Sequence, residues 1–263
     1  MLMIATSNRF SSRPDYIRWT ITQLGPCYIK LAQWIATRRD VVPAFLCQRL
    51  GVLHDRGIAH PTKASRAALS AALGDDWESV CTVEDVIGCG SAAQVYRGTL
   101  RGRPVALKVL HPGLEDAVTR DLSLVDTVAQ LLHPWIPMVN LPRVVENFGA
   151  ILHRQTDLRV EAENLRLFRE NFGTGGVIVF PEPVFVSKTV LIEDLIEDAR
   201  PISDYIASDL EVDDGGVRKQ LASPLLRAFL KMVFIDNFVH WCVVSSILRS
   251  LSRAPHTLTM LLQ

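Results

Sequence analysis

The sequence predicts an α+β fold in which an antiparallel sheet with its own helices follows an N-terminal helical segment. Three observations predict it. Up to about residue 80, apolar residues recur at helical spacing. From Val83, short β-rich runs alternate with glycine-containing turns. From Leu114, long stretches return to the helical period, so we expect helices, then a sheet, then helices again.

Composition and charge limit the classes of function. The chain has 263 residues, 48% of them hydrophobic, which is enough for a substantial core. Lys and Arg together number 28, as do Asp and Glu, so no net charge attracts nucleic acid and we expect no nucleic-acid partner. The five cysteines are scattered and never spaced as Cys-x-x-Cys, which argues against a disulfide framework or a zinc site.

Residues 1–23 form a poorly defined N-terminal segment without a clear targeting signal, and residues 24–80 predict a helical extension. In "GPCYIKLAQWIATRRD", Pro26 suits a first helical turn, and Lys30 and Gln33 share a polar stripe among apolar residues. Spacing alone favours a solvent-facing stripe. Further helices are predicted in "VPAFLCQRLGVLHD" and in "ASRAALSAALG", the latter ended by Gly74.

The run "VEDVIGCGSAAQVYRGTLRGRPVALKVLHPG" predicts a three-stranded meander, with "RGRP" as a hairpin connection. Residues 88–94, called the glycine loop below, connect its first two strands. In the third strand Ala106, Lys108 and Leu110 point to one face, so Lys108 is a lone charge beside small and apolar neighbours.

The chain after the meander predicts two long helices, then strands, then a last helix. The second long helical stretch covers "LPRVVENFGAILHRQTDLRVEAENLRLFREN", with Arg154, Asp157, Glu161 and Asn164 on one polar face. Prolines in "VIVFPEPVFVSKTVLIED" predict edge strands or the ends of strands. An acidic connection, "ASDLEVDDGGVRKQ", then precedes the last helix.

A buried lysine needs an acidic partner, because an unpaired ammonium in an apolar site loses its proton. Glu161 is the candidate partner of Lys108. The alternative is that Glu161 lies on a solvated helix face and that Lys108 extends outward from an edge strand. The residues alone leave both interpretations open.

The order of the glycine loop and the "VALK" strand matches the arrangement in which a protein kinase covers ATP phosphates with backbone N–H groups and contacts them with a lysine. The loop reads Gly88-x-Gly90-x-x-Ala93-x-Val95, with alanine in place of the third glycine. A pair of glycines is also what a tight hairpin requires. The combination with "VALK" favours the kinase interpretation.

Several motifs together resemble the UbiB/ADCK (aarF-domain-containing) atypical kinases, whose hallmark is a Lys-x-Gly-Gln motif ahead of a kinase-like small lobe. Lys30 and Gln33 match it within "LGPCYIKLAQWIATRRDVVPAFLCQRLGVLHDRGIAHP". The likeness continues through "GCGSAAQVYRG", "VALKVLHPG", "DLRVEAENL" and "FIDNFVH", roughly from Leu24 to His240. It is strongest with a mammalian branch that shares the glycine-containing loop and a Gln-x-Asp helix.

The resemblance implies a kinase-like small lobe over residues 81–200 that binds ATP or ADP, and it assigns two sets of site residues. The nucleotide-binding set is Gly88, Gly90, Ser91, Ala92, Ala93, Gln94 and Val95 in and after the glycine loop, Ala106 and Lys108 on the third strand, Glu161 as the partner of Lys108, and Glu193 at the start of the hinge near adenine. The regulatory set is Lys30 and Gln33, on a helix that folds over the active site, with Asp157 supporting that helix.

The family's biology gives further expectations. Its members act at mitochondrial or bacterial membranes in ubiquinone biosynthesis and lipid homeostasis. The resemblance therefore implies a mitochondrial, membrane-associated protein. Its implied partners are the nucleotide, membrane lipid and proteins of the ubiquinone pathway.

Three departures from the family pattern qualify these expectations. The Lys-x-Gly-Gln motif reads "KLAQ", and we expect the methyl group of Ala32 to loosen the packing of this helix. Gln155 replaces the first acid of the family's Glu-x-Asp motif, which removes a charge that could pair with Lys30. After His240 the family continues as His-x-Asp-x-His-Pro-Gly-Asn, whereas this chain continues with Trp241 and Cys242.

The third departure removes the catalytic aspartate and the oxygen ligands of Mg²⁺. We therefore expect no catalytic residue, no metal site and no kinase activity in the chain as given. On this interpretation residues 201–240 begin a truncated large lobe and 241–263 form an unrelated tail. Mis-splicing or a gene-model error is one explanation, and a true short form that binds nucleotide or a partner without catalysis is another. A membrane anchor over 229–248 is a third, opposed by Lys231, Asp236 and His240.

Overall fold

The structure is a computed structural model that describes residues 14–39, 42–51, 59–135, 139–173, 178–196, 215–236 and 258–259. Helices and a five-stranded antiparallel sheet make up this part of the chain, which confirms the predicted α+β class. The predictions made for residues 1–13 and for the junction at 237–257 lie outside the described residues.

The N-terminal helices are α1 (Pro14–Leu24), α2 (Pro26–Thr37), α3 (Ala44–Gly51) and α4 (Thr62–Leu73). The meander is β1 (Cys81–Cys89), β2 (Ala93–Leu100) and β3 (Arg103–Leu110), followed by α5 (Leu114–Leu132), α6 (Leu141–Arg154) and α7 (Leu158–Phe172). The remaining elements are β4 (Ile178–Val179), β5 (Pro183–Val186), β6 (Val190–Asp194), α8 (Gly215–Phe234) and β7 (Leu258–Thr259).

By its internal contacts the chain divides into two compact units. The first consists of Met1–Ala67, Val86–Gln94 and Val109–Thr156, and the second of Ala68–Asp85, Val95–Lys108 and Asp157–Gln263. This division groups α5 and α6 with the N-terminal helices, whereas the sequence assigned them to the small lobe.

The first unit is a helical layer held by close packing of small residues. Ala32 and Ala36 of α2 form a buried cluster with Leu50 of α3. The methyl group of Ala32, which was expected to loosen α2, is thus part of this core. Where α6 approaches α5, a Cβ atom at Gly149 would lie 3.3 Å from a methyl group of Leu122, so glycine permits the close approach.

The five-stranded sheet, most of which belongs to the second unit, has the strand order β1-β2-β3-β6-β5. β3 lies in the interior of the sheet and is buried continuously from Val105 to Leu110. β5 pairs antiparallel with β6 at the edge, and Pro183 faces Glu193 in their register. A proline at the start of an edge strand costs no ladder hydrogen bond. The predicted edge strand is thus β5, whereas β6 of the same run lies inside the sheet. β4 and β7 form a separate two-residue parallel pairing.

One helical stretch was predicted from residue 141, and the structure divides it into two helices, because α6 ends at Arg154 and α7 begins at Leu158. Asp157 has extended backbone angles, and its side chain accepts the N–H of Arg159 as an N-cap. A capping aspartate offers the backbone this local alternative to helix continuation. The predicted shared polar face is wrong, because Asn164 is only 5% exposed.

The last helix begins earlier than the sequence predicted. α8 begins at Gly215, inside the segment that was expected to be an acidic connection. Within the described part of the chain, no helix is both long enough and apolar enough to span a bilayer.

Candidate functional site

The centre of the candidate site is an ion pair between β3 and α7 in the second unit. Lys108 Nζ donates to Glu161 Oε1 over 2.6 Å. The two side chains are 8% and 18% exposed. The alternative in which Lys108 extends into solvent is therefore not observed. A charge-assisted hydrogen bond of this length in a largely dry position fixes both side chains.

Local sequence explains why α7 presents Glu161 to the sheet. Leu158, Ala162 and Leu165 are buried at helical spacing and hold one side of α7 inside the unit. The N–H of Leu158 also donates to the carbonyl of Lys188 at the β5–β6 turn. Glu161 lies in the first turn, where the helix dipole favours a carboxylate.

Glu193 is the third ionisable group of this cluster. It lies on β6, its side chain is 4% exposed, and its Oε2 has no hydrogen-bond partner within the described residues. Burial raises the pKa of Glu193 to about 8, with a further rise from Glu161 and an opposing effect of Lys108. The carboxyl group therefore holds its proton at neutral pH.

The sequence identified Glu193 only as the start of the hinge, and no periodicity signalled a buried carboxyl group there. The next residue, Asp194, forms an ion pair with Arg103 at 2.6 Å, which sequence reasoning missed entirely. This pair joins residues 91 positions apart, so spacing could not reveal it. Of the other predicted nucleotide residues in this unit, Ala106 is buried on β3 and Val95 is partly buried on β2.

The glycine loop belongs to the first unit. The N–H of Gly90 donates to the carbonyl of Ala93 over 2.8 Å, which closes the turn between β1 and β2. Gly90 has no positive φ, and a Cβ atom there would come no closer than 3.7 Å to its nearest neighbour, the carbonyl oxygen of Ala93. Neither backbone conformation nor packing thus requires glycine at this position. Ala93 and Gln94 are buried, whereas Gly90 is exposed.

The first unit also brings Lys30 to the glycine loop. Both line a cavity of about 10 Å³, roughly the space of one water molecule. Its lining residues are Pro26, Lys30, Ser91, Ala92, Leu114, Val118, Leu152, Gln155 and Thr156. Gln155, which replaces the acid of the family motif, therefore lies at the same cavity as Lys30. Gln33 is partly buried on the same helix but does not line the cavity.

Asp157 is engaged within its own unit. Its carboxylate caps α7 by accepting the N–H of Arg159 at 3.0 Å and also accepts hydrogen bonds from the Arg159 guanidinium, the shortest at 2.6 Å. These side-chain hydrogen bonds hold the pKa of Asp157 below its ordinary value. Its predicted role in supporting the Lys30 helix stays a prediction.

The described residues do not fit a Mg²⁺ site. Among them, no group of three or more His, Cys, Asp or Glu side chains is placed to hold a metal ion. The side chain of Asp236, the aspartate of "FIDNFVH", is 7% exposed. Its two carboxylate oxygens accept hydrogen bonds from Lys231 Nζ, at 2.6 and 2.8 Å.

Comparisons with known proteins agree with the motif pattern. The sequence profile of the ABC1 atypical kinase-like domain matches residues 52–242. A Saccharomyces cerevisiae protein named "ABC1 family protein YPL109C, mitochondrial" is 31% identical over 253 residues, covering 85% of this chain and 37% of that protein. A Marinobacter nauticus protein named "Probable protein kinase UbiB" is 32% identical over 238 residues, covering 87% of this chain and 43% of that protein.

The chain spans less than half the length of these curated relatives. Among solved structures, one titled "The complex structure of Rv3197-erythromycin from Mycobacterium tuberculosis" is similar with a TM-score of 0.54 and 23% identity. The match covers 67% of this chain and 44% of that one. At this level of identity the likeness concerns the fold.

Proposed function

Because the chain belongs to the ABC1 atypical kinase-like family, we propose that it binds ATP or ADP at Lys108 as the nucleotide-binding part of an atypical kinase. The observation that carries this proposal is the 2.6 Å ion pair between Lys108 and Glu161. In kinases such a pair holds the lysine ready for the α- and β-phosphates. The glutamate keeps the lysine charged where burial alone would favour the neutral amine.

Two further observations support a nucleotide ligand. Glycine at position 90 is required neither by backbone conformation nor by packing, but it lets an anionic group approach the backbone closely. The protonated carboxyl group of Glu193 adds no negative charge beside Lys108 at neutral pH. Each feature, within its own unit, favours a phosphate group as the ligand.

We propose that the 263-residue polypeptide binds nucleotide without transferring its phosphoryl group. Phosphoryl transfer depends on positioned metal ions and a catalytic aspartate, and residues 241–263 contain no Asp, Asn or Glu. Removal of groups that act together lowers the rate by several orders of magnitude. The proposal concerns this polypeptide only, because the relatives are more than twice as long.

We also propose a mitochondrial location, which the printed names of the Saccharomyces cerevisiae relative and of a Schizosaccharomyces pombe relative, "ABC1 family protein C21C3.03, mitochondrial", support. A role in ubiquinone or lipid homeostasis, association with a membrane and a regulatory role of Lys30, Gln33 and Asp157 rest on the family resemblance. Detection of the tagged protein in purified mitochondria tests the location. Its exclusive recovery in another fraction would reject it.

The test of nucleotide binding is a thermal shift of the 263-residue polypeptide with ADP, in the presence of Mg²⁺ and again with EDTA. The site variant is Lys108→Met combined with Glu161→Gln, which removes both charges together and leaves no uncompensated buried ion. Lys63→Met, on the exposed side of α4, is the matched control. We expect ADP to stabilise the wild type and the control but not the site variant.

Two results would reject parts of the proposal. A folded wild type that ADP does not stabilise would exclude nucleotide binding. Transfer of the γ-phosphoryl group of ATP by the wild type, absent in the Lys108 and Glu161 double variant, would exclude the non-catalytic form of the proposal. The EDTA arm distinguishes binding of free ADP from binding of its Mg²⁺ complex.

A further inference from the structure

A chain of hydrogen bonds runs from the start of α4 to the glycine loop, entirely within the first unit. Ser65 Oγ lies 2.6 Å from His60 Nε2. His60 Nδ1 lies 2.6 Å from His111 Nδ1. His111 Nε2 lies 2.9 Å from the carbonyl oxygen of Gly90. His60 precedes α4 and His111 directly follows β3, so the chain joins three separate segments.

The chemistry of the end groups determines the direction of every proton. A carbonyl oxygen only accepts, so His111 Nε2 carries a hydrogen and donates to Gly90. In neutral His111 the other nitrogen, Nδ1, then accepts a hydrogen bond, and His60 Nδ1 must donate it. In neutral His60 the Nε2 atom accepts from the hydroxyl of Ser65. One pair of tautomers therefore satisfies all three contacts.

The same two histidines contact the loop through their backbones. The N–H of His60 donates to the side-chain oxygen of Gln94 over 3.0 Å. The N–H of His111 donates to the carbonyl of Ala92 over 2.9 Å. The pair thus contacts Gly90, Ala92 and Gln94, which span most of the glycine loop.

We propose that His60 and His111 are positioning residues that hold the glycine loop in its nucleotide-binding shape. This inference rests on the proposed nucleotide function and adds a residue pair to it. The pair does not touch the nucleotide and acts through the carbonyl of Gly90 and the side chain of Gln94. A loop fixed in this way loses less conformational freedom when a phosphate group binds.

Two substitutions of one residue separate the two contacts of the ring. In His111→Gln the amide nitrogen takes the place of Nε2, so the bond to Gly90 is kept and the bond to His60 is lost. In His111→Asn the shorter amide stays near His60 and no longer reaches Gly90. His153→Asn, at an exposed position on α6, is the control. The probe is ADP, titrated into the full polypeptide, with circular dichroism to verify folding.

We expect His111→Asn to weaken ADP binding about tenfold, the value of one well-placed hydrogen bond, while His111→Gln and the control stay within about threefold of the wild type. Equal affinities of the wild type and His111→Asn would overturn the positioning role. No binding of ADP by the wild type would instead reject the proposed function itself.

A nitrogen NMR experiment on the ring atoms tests the pair without any nucleotide. The structure requires a hydrogen on Nε2 of His111 and on Nδ1 of His60 at neutral pH. Observation of the opposite tautomer at either ring, or of a rapid mixture of both, would overturn the proposal whatever the nucleotide data show.

Discussion

Lys108 and Glu161 are 53 positions apart in the sequence, yet their side chains form a 2.6 Å ion pair between an interior strand and a helix. Two opposite charges in a largely buried position neutralise each other, and their hydrogen bond fixes the helix α7 against the strand β3. The site is thus assembled from segments that contribute one charge each, and the predictions below follow from that arrangement and its surroundings.

Removal of one charge of the pair should cost more than removal of both. We expect Lys108→Met alone or Glu161→Gln alone to lower the free energy of unfolding by about 3 kcal/mol, because each leaves a buried charge without a partner. Lys108→Met combined with Glu161→Gln should cost less than either single change. Urea unfolding measures all three variants. Costs that simply add would show that the two groups do not interact in solution.

Glu193 should make the protein less stable as the pH rises. Its pKa is raised from 4.5 to about 8 in the folded chain, so between these values the folded chain keeps a proton that the unfolded chain has released. The contribution of Glu193 to the free energy of unfolding is therefore fully present below pH 4.5 and is lost as the pH rises toward about 8. Glu193→Gln stays uncharged and should remove this dependence.

The measurement for Glu193 is the thermal midpoint of wild type and Glu193→Gln at matched pH values. We expect the two midpoints to separate with rising pH, with the variant higher at the alkaline end. Parallel curves would mean that Glu193 is ionised in the folded protein and that its carboxyl group is not buried as described.

The helical and strand segments were largely predictable from sequence because their periodicity is local. The meander and the end of α4 at Gly74 follow from alternation and glycine positions. The break between α6 and α7 was missed because apolar spacing continues across it, while the Asp157 cap that causes it depends on one side chain. Periodicity averages over many residues and cannot detect such an event.

The candidate site was predictable only in part. The partner of Lys108 could be named because a buried ammonium requires one, but the alternative of solvent exposure could not be excluded from spacing. The buried state of Glu193 and the histidine chain depend on contacts between segments far apart in the sequence. The sequence alone does not show how close such distant segments come in the folded protein.

Gly98 on β2 should tolerate no side chain. A Cβ atom there would overlap the carbonyl of Thr82 on β1 and lie 2.5 Å from the Leu107 side chain on β3. We expect Gly98→Ala to cost about 3 kcal/mol, at the upper end of overpacking effects. Gly102→Ala is the control, because that site has a positive φ but open space, and should cost about 1 kcal/mol. Chemical unfolding in which Gly102→Ala is the more harmful change would contradict the described strand pairing.

The cap at Asp157 should depend on a side-chain oxygen and little on its charge. Asp157→Ala removes the acceptor for the N–H of Arg159 and should cost about 1 kcal/mol. Asp157→Asn keeps an acceptor oxygen and should recover most of that loss. Equilibrium unfolding distinguishes them. If Asn is as harmful as Ala, the contribution comes from the ion pair with Arg159 instead of the cap.

The most direct test of the account is a calorimetric titration of ADP into the 263-residue polypeptide, with the Lys108→Met and Glu161→Gln double variant and the Lys63→Met control in parallel. The account predicts saturable binding to one site in the wild type and the control, and an affinity at least about tenfold weaker in the double variant, the loss of one charge-assisted contact to phosphate. Equal affinities in all three proteins, or no binding by a folded wild type, would contradict it.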